Sequence, residues 1–472
     1  MKKVALLAWF FALAWQSAAQ NVLDVIYVNP SVKLGTPRFV ATGGAFTALG
    51  NDFSGVHLNP AGLAVFRHDE FGMSMGWNNR TVYSSYYGTA QSQNYNGIIL
   101  TSFGYVLNFK TDDPDVSWNF GITWNKNSDF SSESETFGVN TQSSILQDWI
   151  NNANGIAPDD LISQGLLYEG LAWESYLLDV SGTNQYSTEA SITSTEQVIA
   201  ERIRGSYDEL GISLAKNDGD KLYYGVMLNV PFYRYNVEYS YAESGYGGDS
   251  IKGMNWRETF TNNGIGINAK FGAIYRPTRN VRIGVSLFTP TFMGITQEYS
   301  TTITSIFRNA QDFSVRYESD AFKYNFRNAP QANIGLSYVF DQNGFISIEY
   351  NFIPIKWTRS STYDLSYLNA DTKELLKNQQ SIKVGGEMRL MNVYLRAGYT
   401  WLSNPFNIVT ENATQQTYSF GIGYRKNRFT VDISYAIQQN DFNYYPYSAN
   451  LVEPARQTIT RKPLILSASF RL

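Results

Sequence analysis

The sequence predicts an all-β membrane protein, a 14-stranded antiparallel transmembrane β-barrel with an N-terminal plug. Hydrophobic and polar residues alternate along many segments, and the connections between these segments alternate between short and long. The chain also combines 43% hydrophobic residues with a mean hydropathy of −0.28. Beyond the N-terminus it has no apolar stretch of about 20 residues, which a membrane-spanning helix requires.

The composition of the 472-residue chain excludes several other classes of protein. The lack of cysteine excludes disulfide scaffolds and cysteine-based zinc sites. A net charge of −4, from 37 basic and 41 acidic residues, indicates no nucleic-acid partner. His57 and His68 are the only histidines, and no nucleophile elbow, phosphate-binding glycine loop or His-x-x-x-His spacing occurs. We therefore expect no catalytic residues, no metal and no cofactor.

Residues 1–19 have the order of a secretory signal peptide. Two N-terminal lysines precede an apolar run that ends at Trp15, and small residues follow up to Ala19. About 12 apolar residues are too few to anchor the chain across a bilayer. We expect cleavage after Ala19 and export to the cell envelope.

Alternation with a period of two predicts the strands. In one segment Val116, Trp118, Phe120 and Ile122 alternate with polar or small residues, as in a strand with one apolar and one polar face. If lipid covers the apolar face, closing the sheet into a barrel pairs every backbone group. Fourteen segments are predicted, near residues 69–84, 97–110, 115–127, 205–217, 220–240, 256–277, 280–299, 326–341, 344–358, 379–390, 393–402, 416–425, 428–439 and 458–472.

The connections predict the orientation of a barrel over residues 69–472. Alternate connections are short, and the others are long, the longest running over residues 128–204. Short periplasmic turns and long extracellular loops are typical of barrels in the Gram-negative outer membrane. We expect a monomer in contact with outer-membrane lipid, and we expect 128–204 to be an extracellular loop with helices.

Residues 20–68 lack the alternating pattern and precede the first strand. The pair Gly43 and Gly44 permits close backbone approach and positive φ angles. Asn59 is placed to cap a short turn that begins at Pro60 and continues through Ala61 and Gly62. We expect this compact segment to plug the barrel from the periplasmic side, and we refer to residues 20–68 as the hatch segment.

Together these features resemble the FadL family of outer-membrane transporters of hydrophobic compounds such as long-chain fatty acids. The likeness is closest over residues 43–64, where Asn59-Pro60-Ala61 matches the Asn-Pro-Ala motif of the family's hatch. The sequence departs from the family's usual residues at Gly50, Asn51 and His57, so the resemblance does not carry ligand specificity with it.

The resemblance implies passive transport with no energy source. A hydrophobic substrate would bind the outer loops, enter a pocket above the hatch, and leave sideways into the membrane. Either a shift of the hatch or a kink in the third strand would open the way. The glycines of the hatch and Asn59-Pro60-Ala61 would then be gating residues, and Gly121 is the expected weak point of the third strand.

The strand register also predicts charges in the lumen. A two-residue turn at Met391-Asn392 places Glu387 opposite Arg396, where opposite charges stabilise a hairpin. Lys383 and Arg389 share that face, so they are candidates for binding a carboxylate, although a structural role is the more usual one.

Two other functions remain open at this stage. A barrel of this kind could dock secreted or envelope proteins, in which case its loops should expose a large apolar patch. An ion or nutrient porin is a third candidate, although a hatch argues against free flow.

Overall fold

The computed structural model describes residues 22–30, 33–113, 115–192, 194–362, 365–407 and 413–472. The predicted signal peptide, residues 1–19, lies outside these ranges. Within the described part of the chain, no helix is both long and apolar enough to cross a membrane.

Fourteen antiparallel strands form one closed barrel, which confirms the predicted fold. Each strand pairs with its neighbours in sequence, and the last strand pairs with the first. Four strands are interrupted. The strands are β1 (Glu70–Tyr86), β2 (Thr89–Lys110), β3 (Val116–Asp129 and Ser132–Asn140), β4 (Thr195–Asp218), β5 (Leu222–Ser244), β6 (Ile251–Tyr275), β7 (Val281–Phe288 and Phe292–Phe307), β8 (Phe313–Glu318, Phe322–Arg327 and Gln331–Val339), β9 (Gly344–Ile353), β10 (Gln379–Leu390), β11 (Val393–Leu402), β12 (Gln415–Lys426), β13 (Phe429–Tyr444) and β14 (Ala455–Arg461 and Leu464–Arg471).

The strands present apolar side chains outward and polar or small side chains inward. On β1, Phe71, Met73, Met75 and Trp77 are exposed, whereas the residues between them are buried. The same alternation on the other strands produces an outer apolar band around the barrel, as in a protein whose exterior faces lipid.

Two predicted loops are partly strand. The first outer connection is only the turn Tyr87-Gly88, where both residues have positive φ. The loop predicted over 128–204 is shorter, because Ser132–Asn140 pairs with residues 195–203 of β4. The hydropathy pattern misses these extensions since they lie beyond the apolar band, where both faces of a strand are polar.

Helices form the outer cap and part of the hatch segment. The connection of residues 141–194 contains α4 (Ile145–Ala153) and α5 (Leu167–Glu174), which bury Trp149 and Leu171 against Trp256 of β6 and its neighbours. The remaining elements are α1 (Val22–Tyr27), α2 (Pro37–Ala41), α3 (Phe53–Leu58), α6 (Ser366–Leu375), the 3-10 helices Pro60–Val65, Pro158–Asp160 and Ile355–Trp357, the small hairpin Asp179–Ser181 with Gln185–Ser187, and the short strand Arg359–Ser360.

Residues 33–66 of the hatch segment contact the inner faces of strands all around the barrel. Glycines on the wall make room for this contact. At Gly385 a Cβ atom would overlap the carbonyl oxygen of Thr42, and at Gly398 it would overlap the backbone nitrogen of Gly43. Other wall glycines at which a Cβ atom would overlap a backbone or side-chain atom of the segment are Gly104, Gly225, Gly272, Gly284 and Gly421. The segment therefore fills the lumen at this level.

This fit predicts the effect of adding a side chain to the wall. Gly385→Val should lower stability by about 1–3 kcal/mol, because overpacking displaces residues 33–66. Thermal unfolding and limited proteolysis of the hatch segment would measure the effect. Gly386→Val is the matched control, since the nearest atom to its added Cβ is 3.4 Å away. Equal behaviour of the two variants would contradict the close fit.

Candidate functional site

Side chains of the wall satisfy the backbone carbonyls of the hatch segment. Ser419 donates to the carbonyl of Ala41 at 3.2 Å, and Thr400 donates to that of Gly43 at 2.8 Å. Ser286 donates to the carbonyl of Leu58 at 2.7 Å. Further carbonyls are satisfied by Arg282, Asn119 and Asn125. Because buried carbonyls need partners, this wall replaces the hydrogen bonds that a regular element would make within itself.

Glu349 of β9 binds both the hatch segment and Lys383. Its Oε2 accepts hydrogen bonds from the backbone nitrogens of Phe46 and Thr47, each at 3.0 Å, and from the Thr47 hydroxyl at 2.8 Å. Its Oε1 accepts from Lys383 Nζ at 2.9 Å. Glu349 is 1% exposed and Lys383 3%, so this is a buried ion pair that joins the wall to the segment.

A second ion network lies nearer the short turn at Met391-Asn392. Glu387 lies opposite Arg396, whose Nε donates to Glu387 Oε2 at 2.6 Å. Arg38 of α2 donates to the same carboxylate at 2.9 Å, and Arg396 also contacts Asp432 at 2.6 Å. Arg389 is exposed and donates to the carbonyl of Met391. The structure thus places Lys383 and Glu387 against the hatch segment and places Arg389 away from it.

His57 forms a third contact on the opposite wall. Its Nδ1 lies 3.3 Å from Glu209 Oε2 and its Nε2 lies 2.9 Å from Thr123 Oγ1. Lys270 donates to the carbonyl of His57 at 3.0 Å and forms an ion pair with Glu209. Burial lowers the pKa of His57 to about 4, so a neutral imidazole donates to Glu209 and accepts from Thr123.

The Asn-Pro-Ala turn is fixed by Asn59. Its Oδ1 accepts from the backbone nitrogen of Ala61 at 3.0 Å, and its Nδ2 donates to the carbonyl of Thr47 at 2.6 Å. Pro60 begins the 3-10 helix, and Gly62 packs on the backbone of Gly50. These residues shape the segment and lie away from the cavity above it.

A cavity of about 1210 Å³ lies between the hatch segment and the outer loops. Its floor includes Lys33, Phe39, Gly43 and Gly44, and its roof includes Trp149 of the outer cap. Lys33 lies with its Nζ 4.9 Å from the centre of the Phe288 ring, and burial lowers its pKa to about 7. The volume exceeds the roughly 300–1,000 Å³ of ordinary ligand pockets, so the cavity is large enough for a lipid-sized molecule.

The hydrogen-bonded pairing between β2 and β3 stops before the outer ends of the two strands. Pairing of these strands ends at Ser102 with Asn125, and beyond it the second part of β3 pairs only with β4. We call this unpaired boundary the seam. Gln93 Nε2 donates to Glu135 Oε2 across it at 2.7 Å, while Phe130 turns inward to pack on Tyr27. Serines on the β3 side of the seam line the cavity.

Gly121 lies in a regularly paired part of β3, below the seam. A Cβ atom there would meet Leu63 of the hatch segment at 2.8 Å. The interruption of the strand is instead at residues 130–131. Gly121 therefore provides room for the segment, as Gly385 does on the far wall.

Sequence reasoning missed Glu349, Glu209 and Lys270. Alternation along the strands could have predicted that they point inward. In β9, for example, Ile346, Ile348 and Tyr350 are exposed, whereas Glu349 lies on the buried face. Their height relative to the hatch segment could not be read, because it depends on how the segment folds inside the lumen.

The buried pair leads to a prediction for Glu349→Gln. The change leaves Lys383 buried without a countercharge, and breaking such a pair costs about 3–5 kcal/mol. We expect a lower thermal midpoint and a higher single-channel conductance as the hatch segment loosens. In the double variant with Lys383→Met, part of the stability should return. A double variant no more stable than Glu349→Gln would contradict the role of the ion pair.

The lowered pKa of His57 predicts that the stability of the folded protein depends on pH. Its folded value of about 4 lies below the unfolded value of about 6.5, so its stabilising contribution is complete above pH 6.5, roughly, and is lost as the pH falls toward 4. The stability advantage of the natural chain over His57→Gln should therefore narrow between about pH 6.5 and about pH 4. Thermal unfolding at stepped pH would test this. A constant difference would refute it.

Comparison with known proteins identifies structures of the same fold. No family model matches the sequence, and no curated protein matches it by sequence. A Pseudomonas aeruginosa FadL homologue matches with a TM-score of 0.57 at 12% identity, over 93% of this chain and 99% of that chain. The toluene transporters TodX of Pseudomonas putida (TM-score 0.56, 12% identity) and TbuX of Ralstonia pickettii (0.54, 11%) each match over 94% of this chain and 99% of their own. The chain therefore has the barrel fold of these transport proteins.

Proposed function

We propose that the protein is a passive outer-membrane transporter of hydrophobic, fatty-acid-like small molecules and has no enzymatic activity. The observation that carries this proposal is the cavity of about 1210 Å³, which lies between a tightly held floor and the outer loops. The apolar outer band supports a membrane location, and the fold is that of named transporters. The residues of the hatch segment act as the floor on which substrate is held.

Substrate leaves sideways through the seam in this proposal. The floor is bonded to the wall by Glu349, Glu387 and Glu209, which makes its displacement costly. The seam, by contrast, is bridged by side chains such as Gln93 and Glu135, and no strand pairing has to break there. Its lower end, at Ser102, lies below the last exposed apolar residues of β2, Leu100 and Ile98, so a substrate that passes there enters lipid directly.

Crosslinking tests whether the substrate leaves through the seam or past the floor. The chain has no cysteine, so Gln93→Cys with Glu135→Cys can be joined across the seam by a short reducible crosslinker. Uptake of a radiolabelled long-chain fatty acid by cells producing this variant should fall to the level of cells without the protein. A reductant should restore it.

Crosslinking the floor is the matched control. A Cβ atom at Gly335 lies 3.0 Å from that of Thr47, close to the roughly 3.5–4.5 Å of disulfides, so Thr47→Cys with Gly335→Cys locks the floor to β8. This variant should keep full uptake. Loss of uptake here but not at the seam would overturn lateral exit and leave transport standing. Uptake by the unmodified protein no faster than background would overturn transport itself.

A further inference from the structure

Lys33 of the hatch segment is a buried cation without a partner. It lies at the floor of the cavity and is 9% exposed. Its Nζ makes no hydrogen bond and no ion pair with the residues that the structure describes, and lies instead 4.9 Å from the centre of the Phe288 ring. A buried ammonium group without a countercharge is costly, because burial removes its hydration. The position of Lys33 therefore favours an anion.

The other cations that line the cavity are already bonded. Lys383 pairs with Glu349 at 2.9 Å. Arg80 and Arg461 both donate to backbone carbonyl oxygens. Among the described residues of the lining, Lys33 is thus the one cation whose charged group has no polar partner.

A small polar cavity beside Lys33, which we call the side pocket, has room for an anionic group. Its volume is about 30 Å³, compared with the roughly 10–15 Å³ that one water molecule needs. It adjoins the main cavity, since Lys33 and Asn127 line both. Amide and hydroxyl side chains line it further, among them Asn268, Thr289 and Thr291. The side pocket therefore fits a carboxylate group but not an alkyl chain.

The buried charges around Lys33 leave a net positive charge. Two ion pairs lie close enough to interact with it electrostatically, Glu209 with Lys270 and Glu349 with Lys383. Glu209 also lines the side pocket, but its pairing with Lys270 offsets its charge. Because each pair is neutral, protonated Lys33 adds one uncompensated positive charge, which a single monovalent anion would neutralise.

We infer that Lys33 binds the head group of the substrate, and that this head group is a free carboxylate. The carboxylate enters the side pocket, while the alkyl chain extends through the main cavity toward Trp149 of the outer cap. Asn127 lies two residues beyond Asn125, where the pairing of β3 with β2 ends, so the head group is held beside the lower end of the seam. This inference rests on the proposed function and adds to it the residue that recognises the substrate.

Binding of an acid and an alcohol of the same chain length tests the inference. The protein in lipid nanodiscs is titrated with decanoate and with decanol at pH 6.5 in a calorimeter, and the heats from empty nanodiscs are subtracted. Decanoate should bind at least about tenfold more tightly than decanol, as expected for a hydrogen bond between two charged groups.

Substitution of Lys33 separates head-group binding from general hydrophobic binding. Lys33→Met should lower the affinity for decanoate about tenfold and leave that for decanol within about twofold. This variant should unfold at a temperature no lower than the natural chain, because it removes a buried charge that has no partner. Lys373→Met, which removes an exposed lysine from α6, is the matched control and should change neither affinity.

The pH dependence of binding gives a second measurement. Burial, and after it the ammonium group of Lys270, lower the pKa of Lys33 to about 7. The titratable groups around Lys33 are Lys270, Glu209, Lys383, Glu349 and His57, of which His57 is neutral above pH 6. In the free protein Lys33 is charged below about pH 7 and neutral above it, so the affinity for decanoate should fall roughly tenfold from pH 6 to pH 8. The affinity for decanol, and that of Lys33→Met for decanoate, should not fall in this way.

The outcomes distinguish this inference from the proposed function. Decanol binding as tightly as decanoate, or a preference for decanoate that survives in Lys33→Met, overturns the inference while transport of hydrophobic molecules stands. Failure of both probes to bind overturns the proposed function together with the inference.

Discussion

The structure depends on filling the lumen of a fourteen-stranded barrel with a segment that has little regular structure of its own. Such a segment carries buried carbonyls and amides that need partners. The wall supplies them one by one, with Ser419, Thr400 and Ser286 on carbonyls and Glu349 on amides. The wall also has glycine where the backbone of the segment approaches it, as at Gly385 and Gly398. Fit and hydrogen bonding together hold the floor in one position.

The position of the floor then determines the rest of the interior. Carboxylates of the wall hold the segment on two opposite sides. On one side Glu349 accepts from its backbone amides and Glu387 pairs with Arg38, and on the other side Glu209 accepts from His57. Because the floor is held on both sides, the space above it keeps its shape. A ligand site made of wall side chains can be selective only if its floor does not move.

Much of the fold could be predicted from the sequence, and much of the site could not. The strands follow from alternation because lipid and lumen impose opposite polarity on successive residues, and all fourteen are found. The extension of β3 to Asn140 could not be predicted, because strands outside the lipid do not alternate between apolar and polar residues in this way. Lys383 was placed on the correct face, but its pairing with Glu349 depends on the fold of the segment. From the sequence, Gly121 is only a glycine inside a strand. Its close packing on Leu63 is visible only in the structure.

The location of the seam follows from the same hydrogen-bonding constraint that governs the floor. Unpaired strand edges are prohibitively costly in hydrocarbon, so an interruption of the barrel is tolerated only where water or polar groups reach it. Here the pairing of β2 with β3 stops at Ser102, and the outward side chains of β2 change from apolar Ile98 to Asn96 and Asn94 only four to six residues further on. Asn96 bonds to Asn79 of β1, which marks the start of a polar exterior. The unpaired edges of β2 and β3 therefore begin near the top of the apolar band, below its last outward residues Leu100 and Ile98, and side chains such as Gln93 and Glu135 bridge them further out.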